Sequence, residues 1–258
     1  MTQVSKTWRF FATAFCFSVF GISGILMAVF WLPLYRLKYR DEETRKKACR
    51  YAVHIGFKYF VWLMYCVGVA KVTTSNIEKL TNLQGKIVIA NHPCLIDVVV
   101  LISLIPNANC VVKQSLWENI FIRGVLKNTG YLNNADPQKL IDDCRDSLNK
   151  GSNLIIFPEG TRTKPGTSLT FQRGAANLAI RSKANFQRVL IQISPPALTK
   201  GWPWYRIPSR KMHLDLTVLD EFDIRPYLQD NISLSVRKLT RDIQKIFSDE
   251  LAHFDSIR

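Results

Sequence analysis

The chain has 258 residues, of which 47% are hydrophobic and 21% are charged, and its formal net charge is +15. This length provides for one large α/β domain with an anchor and makes two full soluble domains a tight fit. Its six cysteines form no Cys-x-x-Cys pair, which excludes a disulfide framework and a cysteine zinc site. The positive charge indicates an anionic partner, and nucleic acid and anionic lipid are the usual candidates.

An uncharged apolar run occupies residues 10–35. As a helix it would measure roughly 39 Å, against a hydrocarbon core of about 30 Å, so it is long enough to span a bilayer with tilt. More Lys and Arg residues follow the run than precede it. The positive-inside rule therefore predicts that the bulk of the protein faces the cytosol, at the inner (cytoplasmic) membrane.

A second apolar segment, residues 48–70, follows a charged elbow at 36–47. Within it Arg50, His54 and Lys58 recur every four residues and share one helix face, which indicates an interfacial helix. The two apolar segments predict a helical pair, in which the first helix either crosses the bilayer or re-enters one leaflet. Such an anchor favours lipid over nucleic acid as the anionic partner.

Beyond about residue 72, short β-rich runs alternate with helical periods. This alternation predicts an α/β fold with a mostly parallel sheet flanked by helices. The chain thus divides into an N-terminal two-helix membrane anchor, residues 1–71, and an α/β domain, residues 72–258. The predicted strands are 86–90, 109–113, 131–133, 153–157, 188–193 and 211–219, and the predicted helices are 93–104, 115–128, 137–149, 172–183 and an amphipathic one near the C-terminus.

A first polar motif, Asn-His-Pro-Cys-Leu-Ile-Asp, follows the apolar run 87–90. Because proline favours the first helical position, His92 should lie at a helix start, with Asp97 one turn further on. A carboxylate that fixes one imidazole nitrogen leaves the other free to take a proton from an attacking hydroxyl. The structural alternative is that His92 only caps the helix and Asp97 only forms an ion pair. Cys94, between them, is a weaker candidate nucleophile.

A second motif, Phe-Pro-Glu-Gly-Thr-Arg, follows the apolar run 154–156. It combines a turn at Gly160, the hydroxyl of Thr161 and the guanidinium of Arg162, which together suit a phosphate or carboxylate. A surface turn with a solvated arginine is the alternative. In an open parallel sheet, ligands bind beyond the carboxyl ends of the strands, where both motifs lie.

The two motifs resemble the signature of the lysophospholipid and glycerol-phosphate acyltransferase family, Asn-His-x4-Asp followed by Phe-Pro-Glu-Gly-Thr-Arg, over roughly residues 72–219. The resemblance implies that His92 is the general base and that Asp97 orients it. It also implies a substrate-binding set formed by Lys113, Glu159, Gly160, Thr161 and Arg162. The implied reaction moves an acyl chain from acyl-CoA or acyl carrier protein to a lysophospholipid hydroxyl, without metal or other cofactor.

The chain departs from this family between the two motifs, where an arginine after a glycine is thought to help bind the acceptor phosphate. Residues 130–134 read Gly-Tyr-Leu-Asn-Asn instead. Lysophosphatidic acid, converted to phosphatidic acid, remains the leading acceptor. A specialised bacterial lipid without phosphate, or a membrane lipid-binding protein without turnover, are the alternatives that stay open.

Overall fold

The computed structural model describes residues 5–256, so residues 1–4 and 257–258, at the ends of the two predicted segments, lie outside it. A seven-stranded sheet forms its centre. The strands are β1 (Ala70–Ser75), β2 (Ile87–Ala90), β3 (Ala108–Val112), β4 (Leu132–Asn133), β5 (Asn153–Ile156), β6 (Phe186–Ser194) and β7 (Met212–Phe222). Their order is β1-β7-β6-β2-β5-β3-β4, with β6 and β7 antiparallel and the other neighbours parallel. The predicted fold class, a mostly parallel sheet flanked by helices, is confirmed.

Helices precede the sheet and cover both of its faces. They are α1 (Lys6–Leu26), α2 (Leu32–Lys38), α3 (Glu42–Cys66), α4 (Glu78–Thr81), α5 (Asp97–Leu104), α6 (Gln114–Trp117), α7 (Ile120–Thr129), α8 (Pro137–Asn149), α9 (Gly174–Ser182) and α10 (Ile232–Ser256). A π-helical turn, Met27–Trp31, joins α1 to α2, and a 3₁₀ turn, Arg225–Tyr227, precedes α10.

The central strands are buried on both faces, which explains their continuous apolar runs. Val88 of β2 and Ile155 of β5 contribute to a core shared with α3, α5 and α7. The alternate residues Ile87 and Leu154 contribute to a second core shared with α8, α9 and α10. Because helices pack on both faces of the central strands, the ends of these strands are fixed in position. The loops that begin at the strand ends therefore start from fixed points.

The N-terminal helices pack on the first of these cores. The stretch Lys6–Lys38 has a hydropathy of 2.2 and is long and apolar enough to cross a membrane by length and composition. Its Phe20 packs on Phe57 of α3, with ring centroids 5.8 Å apart. A Cβ built at Gly124 of α7 would lie 2.9 Å from the Cβ of Ala28, so only glycine permits this approach of the two helices.

The polar face predicted on α3 does not face an interface over its first turns. Arg50 is buried and donates to Asn107, to the Thr129 carbonyl and to Ser152. His54 is also buried, with Nδ1 2.8 Å from the Ile102 carbonyl oxygen. These side chains satisfy polar groups at loop and helix ends inside the domain, which would otherwise be buried without partners. Periodicity located this face correctly, but not the surface it packs against.

Two predicted helices differ from the structure near the motifs. The helix predicted at 93–104 begins only at Asp97, because the backbone before it forms a turn whose Cys94 N–H donates to the Asp97 carboxylate. The helix predicted at 115–128 is interrupted at residues 118–119 and forms α6 and α7. Since β2 and β5 are parallel neighbours, the loops that follow them emerge side by side.

Candidate active site

His92, in the loop that follows β2, makes four contacts that fix its position, one with α5 and three with the segment that follows β5. Its Nδ1 lies 2.9 Å from Oδ2 of Asp97, and its backbone N–H donates to Oε1 of Glu159 at 2.8 Å. Its carbonyl accepts from the Thr163 N–H at 2.9 Å. The imidazole stacks on Phe157, with ring centroids 4.1 Å apart. These contacts fix the ring and leave Nε2 without a protein partner among residues 5–256.

Asp97 orients the imidazole from the first turn of α5. Its side chain is fully buried, and Oδ2 also accepts from the Cys94 N–H at 2.7 Å. Burial raises the pKa of Asp97, while the hydrogen bonds from His92 and Cys94 oppose that rise. An ionised carboxylate accepts from Nδ1–H, which selects the tautomer with a lone pair on Nε2. The arrangement suits a general base.

A cavity of about 1070 Å³ opens beside His92. The predicted site residues that line it are His92, Lys113, Gly160, Thr161 and Arg162. The rest of its wall is largely apolar and includes Phe20 and Met27 from the N-terminal helices, and Phe57 and Phe60 of α3. A cavity that is polar at the imidazole and apolar beyond it accommodates an amphiphile with a long aliphatic chain.

A smaller recess of about 260 Å³ lies on the other side of Thr161 and Arg162. Glu159, Lys164 and Lys200 line it together with several hydroxyl side chains. Nη1 of Arg162 donates to the Leu198 carbonyl at 2.9 Å, which anchors one edge of the guanidinium. The other two nitrogens have no protein acceptor within residues 5–256, so the turn presents cationic donors to an anion.

Glu159 lies behind the imidazole and does not line the large cavity. Its side chain is 6% exposed, and burial raises its pKa to about 7, with the nearby charge of Asp97 adding to the rise. The structure thus brings the predicted site residues to one edge of the sheet. Asp97 and Glu159 stand behind His92, whereas Lys113, Gly160, Thr161 and Arg162 line the cavity beside it.

Two residues of the site were missed by sequence reasoning. Asn91 pairs with the backbone of Ile191 in β6, donating from Nδ2 and accepting at Oδ1, each at 2.7 Å. This pair fixes the end of β2 next to His92. Phe157 supplies the ring on which the imidazole stacks. Asn91 lies in the first motif directly before His92, and Phe157 lies in the second motif shortly before Glu159. This position within the motifs is the sequence signal that could have identified both residues.

Cys94 is buried and does not line the cavity. Burial and the charge of Asp97 raise the pKa of its thiol, so it stays protonated. Asn134 lines the cavity, and it belongs to the stretch 130–134 in which the resemblance leads us to expect an arginine. Within residues 5–256 there is no group of three or more His, Cys, Asp or Glu side chains that could hold a metal ion.

A model of the acyltransferase family matches residues 71–195. The chain is 31% identical over 128 residues to the 1-acyl-sn-glycerol-3-phosphate acyltransferase of Helicobacter pylori, a match that covers 46% of this chain and 54% of that protein. It is 24% identical over 234 residues to the human 1-acyl-sn-glycerol-3-phosphate acyltransferase alpha, covering 76% and 77% of the two chains. The chain spans about half the length of the Helicobacter protein.

Among solved structures, the crystal structure of the 1-acyl-sn-glycerophosphate acyltransferase PlsC from Thermotoga maritima has the same fold, with a TM-score of 0.69 at 18% identity. That similarity covers 95% of this chain and 98% of the other. The matched family region contains β2, β5 and both motifs. Over residues 71–195 the chain therefore matches the acyltransferase family, and these lysophospholipid acyltransferases are among the proteins it resembles.

Proposed function

We propose that this chain is a membrane-bound O-acyltransferase that moves an acyl chain from acyl-CoA or acyl carrier protein to the free hydroxyl of lysophosphatidic acid. Residues 72–258 would form the acyltransferase domain and residues 1–71 the membrane anchor. One observation carries the proposal: an imidazole fixed at Nδ1 by a buried carboxylate presents Nε2 to a large apolar cavity. The relatives named above support the class of reaction.

In the proposed reaction, Nε2 of His92 takes the proton of the acceptor hydroxyl while its oxygen attacks the thioester carbon. A carbon–oxygen bond forms, and the tetrahedral intermediate collapses with cleavage of the carbon–sulfur bond. The imidazolium then returns the proton to the departing thiolate. Asp97 keeps Nδ1–H in place throughout and stabilises the imidazolium. No acyl-enzyme is formed, which agrees with the buried, protonated thiol of Cys94.

The acceptor phosphate would bind at the cationic edge of the cavity. Lys113, Gly160 and Arg162 line the cavity, and Thr161 and Arg162 line both the cavity and the smaller recess. Because Arg offers a planar fork of donors, it matches phosphate better than a point charge does. Glu159 belongs to the same turn; it is buried and lines the smaller recess but not the large cavity.

The direct test is transfer by the purified protein in anionic vesicles, with lysophosphatidic acid and either acyl-CoA or acyl carrier protein as donor. Formation of phosphatidic acid with release of one free thiol per ester formed is the expected result. Absence of transfer with both donors would contradict the proposed reaction.

Replacing Arg162 by Lys is expected to raise the apparent KM for lysophosphatidic acid about tenfold or more, because a hydrogen bond to a charged group contributes about 1.5–3 kcal/mol. The KM of the acyl donor should change little. Steady-state kinetics with each substrate varied in turn gives both constants. Arg181→Lys, on the exposed face of α9, is the matched control.

The same variant addresses the second candidate, a specialised acceptor without phosphate. The specific observation in its favour is Asn134 at the cavity wall, where the family has an arginine. A phosphate-free lyso-lipid that is used well by the native protein, and almost as well by Arg162→Lys, would favour that acceptor. If the KM values of both acceptors are unchanged, Arg162 is not part of the acceptor site.

For the membrane, we propose that the N-terminal helical stretch Lys6–Lys38, formed by α1, the π-helical turn and α2, lies in one leaflet and does not cross the bilayer. Both of its ends contact the domain: Arg9 donates to the Ser209 carbonyl at 2.6 Å, and Leu32 is fully buried. Trp204 stacks on Phe10, with ring centroids 5.9 Å apart. A helix that packs on one domain at both ends has no end free to reach the opposite surface.

The N-terminal stretch Lys6–Lys38 and α3 expose large apolar side chains on their outward face. These include Phe30 and Trp31 of the π-helical turn, Leu37 of α2, and Tyr59 and Trp62 of α3. Contiguous apolar patches of this kind mark membrane or protein contact. The positive charge of the chain adds attraction to anionic headgroups. The domain would then face the cytosol at the inner membrane.

Single cysteines introduced at Lys6 and Lys38, in a Cys66→Ser background, test this placement. With an impermeant thiol reagent, both positions should be labelled from the cytosolic side only, since the two ends of the helix return to the same surface. Cells with intact membranes and inverted vesicles provide the two sides. Labelling of the two positions from opposite sides would show that the helix crosses the bilayer.

A further inference from the structure

We infer that Glu159 is a positioning residue for His92 and does not contact the acceptor, an inference that rests on the proposed function. Its Oε1 accepts the backbone N–H of His92 at 2.8 Å. The side chain is buried and is absent from the wall of the cavity beside the imidazole. The second motif therefore holds the base as well as providing cations for an anion.

The turn that carries Glu159 is itself pinned at several points. The Gly160 N–H donates to the Phe157 carbonyl at 3.0 Å, and the Gln172 N–H donates to the Pro158 carbonyl at 2.7 Å. Gly160 has a φ of +67°, a conformation that side-chain-bearing residues rarely adopt. The Glu159 carboxylate on this turn is therefore held in a fixed position beyond the strand ends. A fixed carboxylate can in turn fix the neighbouring backbone of His92.

The two motifs thus hold His92 through two carboxylates with different targets. Asp97 binds the ring at Nδ1, and Glu159 binds the backbone at N. Thr163, from the same segment as Glu159, donates to the His92 carbonyl. The backbone of His92 is therefore fixed by the segment after β5, and its ring by α5. Loss of Glu159 would remove one of these two backbone contacts while leaving the ring contact with Asp97 intact.

Electrostatics argue against contact between Glu159 and an acceptor phosphate. Its Oε2 is buried without a hydrogen-bond partner in the part of the chain described. The charged and titratable groups around it are His92 and Asp97, and Arg162, Lys164 and Lys200, which line the smaller recess together with Glu159 itself. A second anion beside a phosphate would weaken its binding, whereas a carboxylate beside an imidazolium stabilises it.

The charge of Glu159 varies near neutral pH, because burial raises its pKa to about 7. Above that pH the ionised carboxylate adds to the stabilisation of the imidazolium formed when His92 takes the acceptor proton. Below it, the neutral carboxyl still accepts the His92 N–H through its carbonyl oxygen. Glutamine reproduces this neutral form, so it separates hydrogen bonding from charge.

Glu159→Ala is expected to lower kcat about a hundredfold, because a misplaced base costs rate and not affinity, while the acceptor KM stays within about twofold. Glu159→Gln should recover most of that loss. The activity ratio of native protein to the Gln variant should rise from near one at about pH 6 to severalfold at about pH 8. A residue with only a structural role would give a constant ratio.

Thermal unfolding separates these effects from misfolding. A carboxyl whose pKa is raised on folding stabilises the protein at low pH, and that contribution is lost as pH rises through about 7. Glu159→Gln should therefore raise Tm at about pH 8 more than at about pH 5. Glu221→Gln, in the remote ion pair with Lys86, is the matched control and should leave the ratio constant.

Four results would overturn the inference: normal turnover by Glu159→Ala, a rise confined to the acceptor KM, a Gln variant as inactive as the Ala variant, or an activity ratio independent of pH. His92→Ala is assayed in parallel. If His92→Ala is inactive while Glu159→Ala turns over normally, the positioning role alone fails. If His92→Ala stays active, the proposed reaction itself fails.

Discussion

Replacing His92 by Ala is expected to lower acyl transfer by about two to four powers of ten, because this is the usual contribution of a positioned general base. The loss should appear in kcat with either donor. The ring is 17% exposed and packs on Phe157, but it lies outside the two main cores, so the fold should survive. Single-turnover assays, with circular dichroism and vesicle binding on the same samples, provide the measurement.

Cys94→Ser is the matched control for His92→Ala. It changes a neighbour in the same loop whose side chain is buried away from the cavity. This variant should keep most of the activity, since the proposed reaction passes through no acyl-enzyme. Near-native turnover by His92→Ala would end the general-base mechanism, and inactivation by Cys94→Ser alone would reopen covalent catalysis.

Much of the site was predictable because its residues belong to short segments whose position follows from sheet topology. The apolar runs before the motifs predicted β2 and β5, and parallel neighbours bring the loops after them together. The pair of His92 and Asp97 followed from five residues of spacing. A pair of interacting side chains within one short segment, such as His92 and Asp97, can be predicted without knowledge of the rest of the fold.

Contacts between distant segments could not be inferred in this way. The hydrogen bond from His92 N to Glu159 joins residues 67 positions apart. The sequence alone predicted Glu159 as part of an anion-binding turn and not as the acceptor of this bond. The burial of Arg50 depends on Ser152, 102 positions away. β1 was missed because it adds to the sheet through β7, at the far end of the chain. Periodicity identifies a face but not its partner.

Asp97→Asn is expected to be nearly as harmful as His92→Ala, with activity lower by about 10²–10⁴-fold. The native Oδ2 accepts from both His92 Nδ1 and the Cys94 N–H, whereas Oδ1 is buried without a hydrogen-bond partner in the part of the chain described. An asparagine can occupy this site in two orientations, and each is defective.

In the first orientation the amide oxygen keeps both hydrogen bonds, but the charge that stabilises the imidazolium is gone and an NH₂ group is buried without an acceptor. In the second the NH₂ group faces Nδ1 and favours the tautomer with the proton on Nε2, which cannot act as a base. Ser103→Ala, which removes another buried polar group from α5, is the control for helix stability.

Nitrogen NMR of the imidazole distinguishes the two orientations. Retention of Nδ1–H with lost activity would assign the defect to the missing charge, and a proton on Nε2 would assign it to the tautomer. Native turnover by Asp97→Asn, with Ser103→Ala equally active, would show that the buried carboxylate contributes packing to α5 and nothing to the base. Both carboxyl groups near His92 are buried, but only Asp97 contacts the ring that carries the proton. We therefore expect Asp97→Asn to lose more activity than Glu159→Gln.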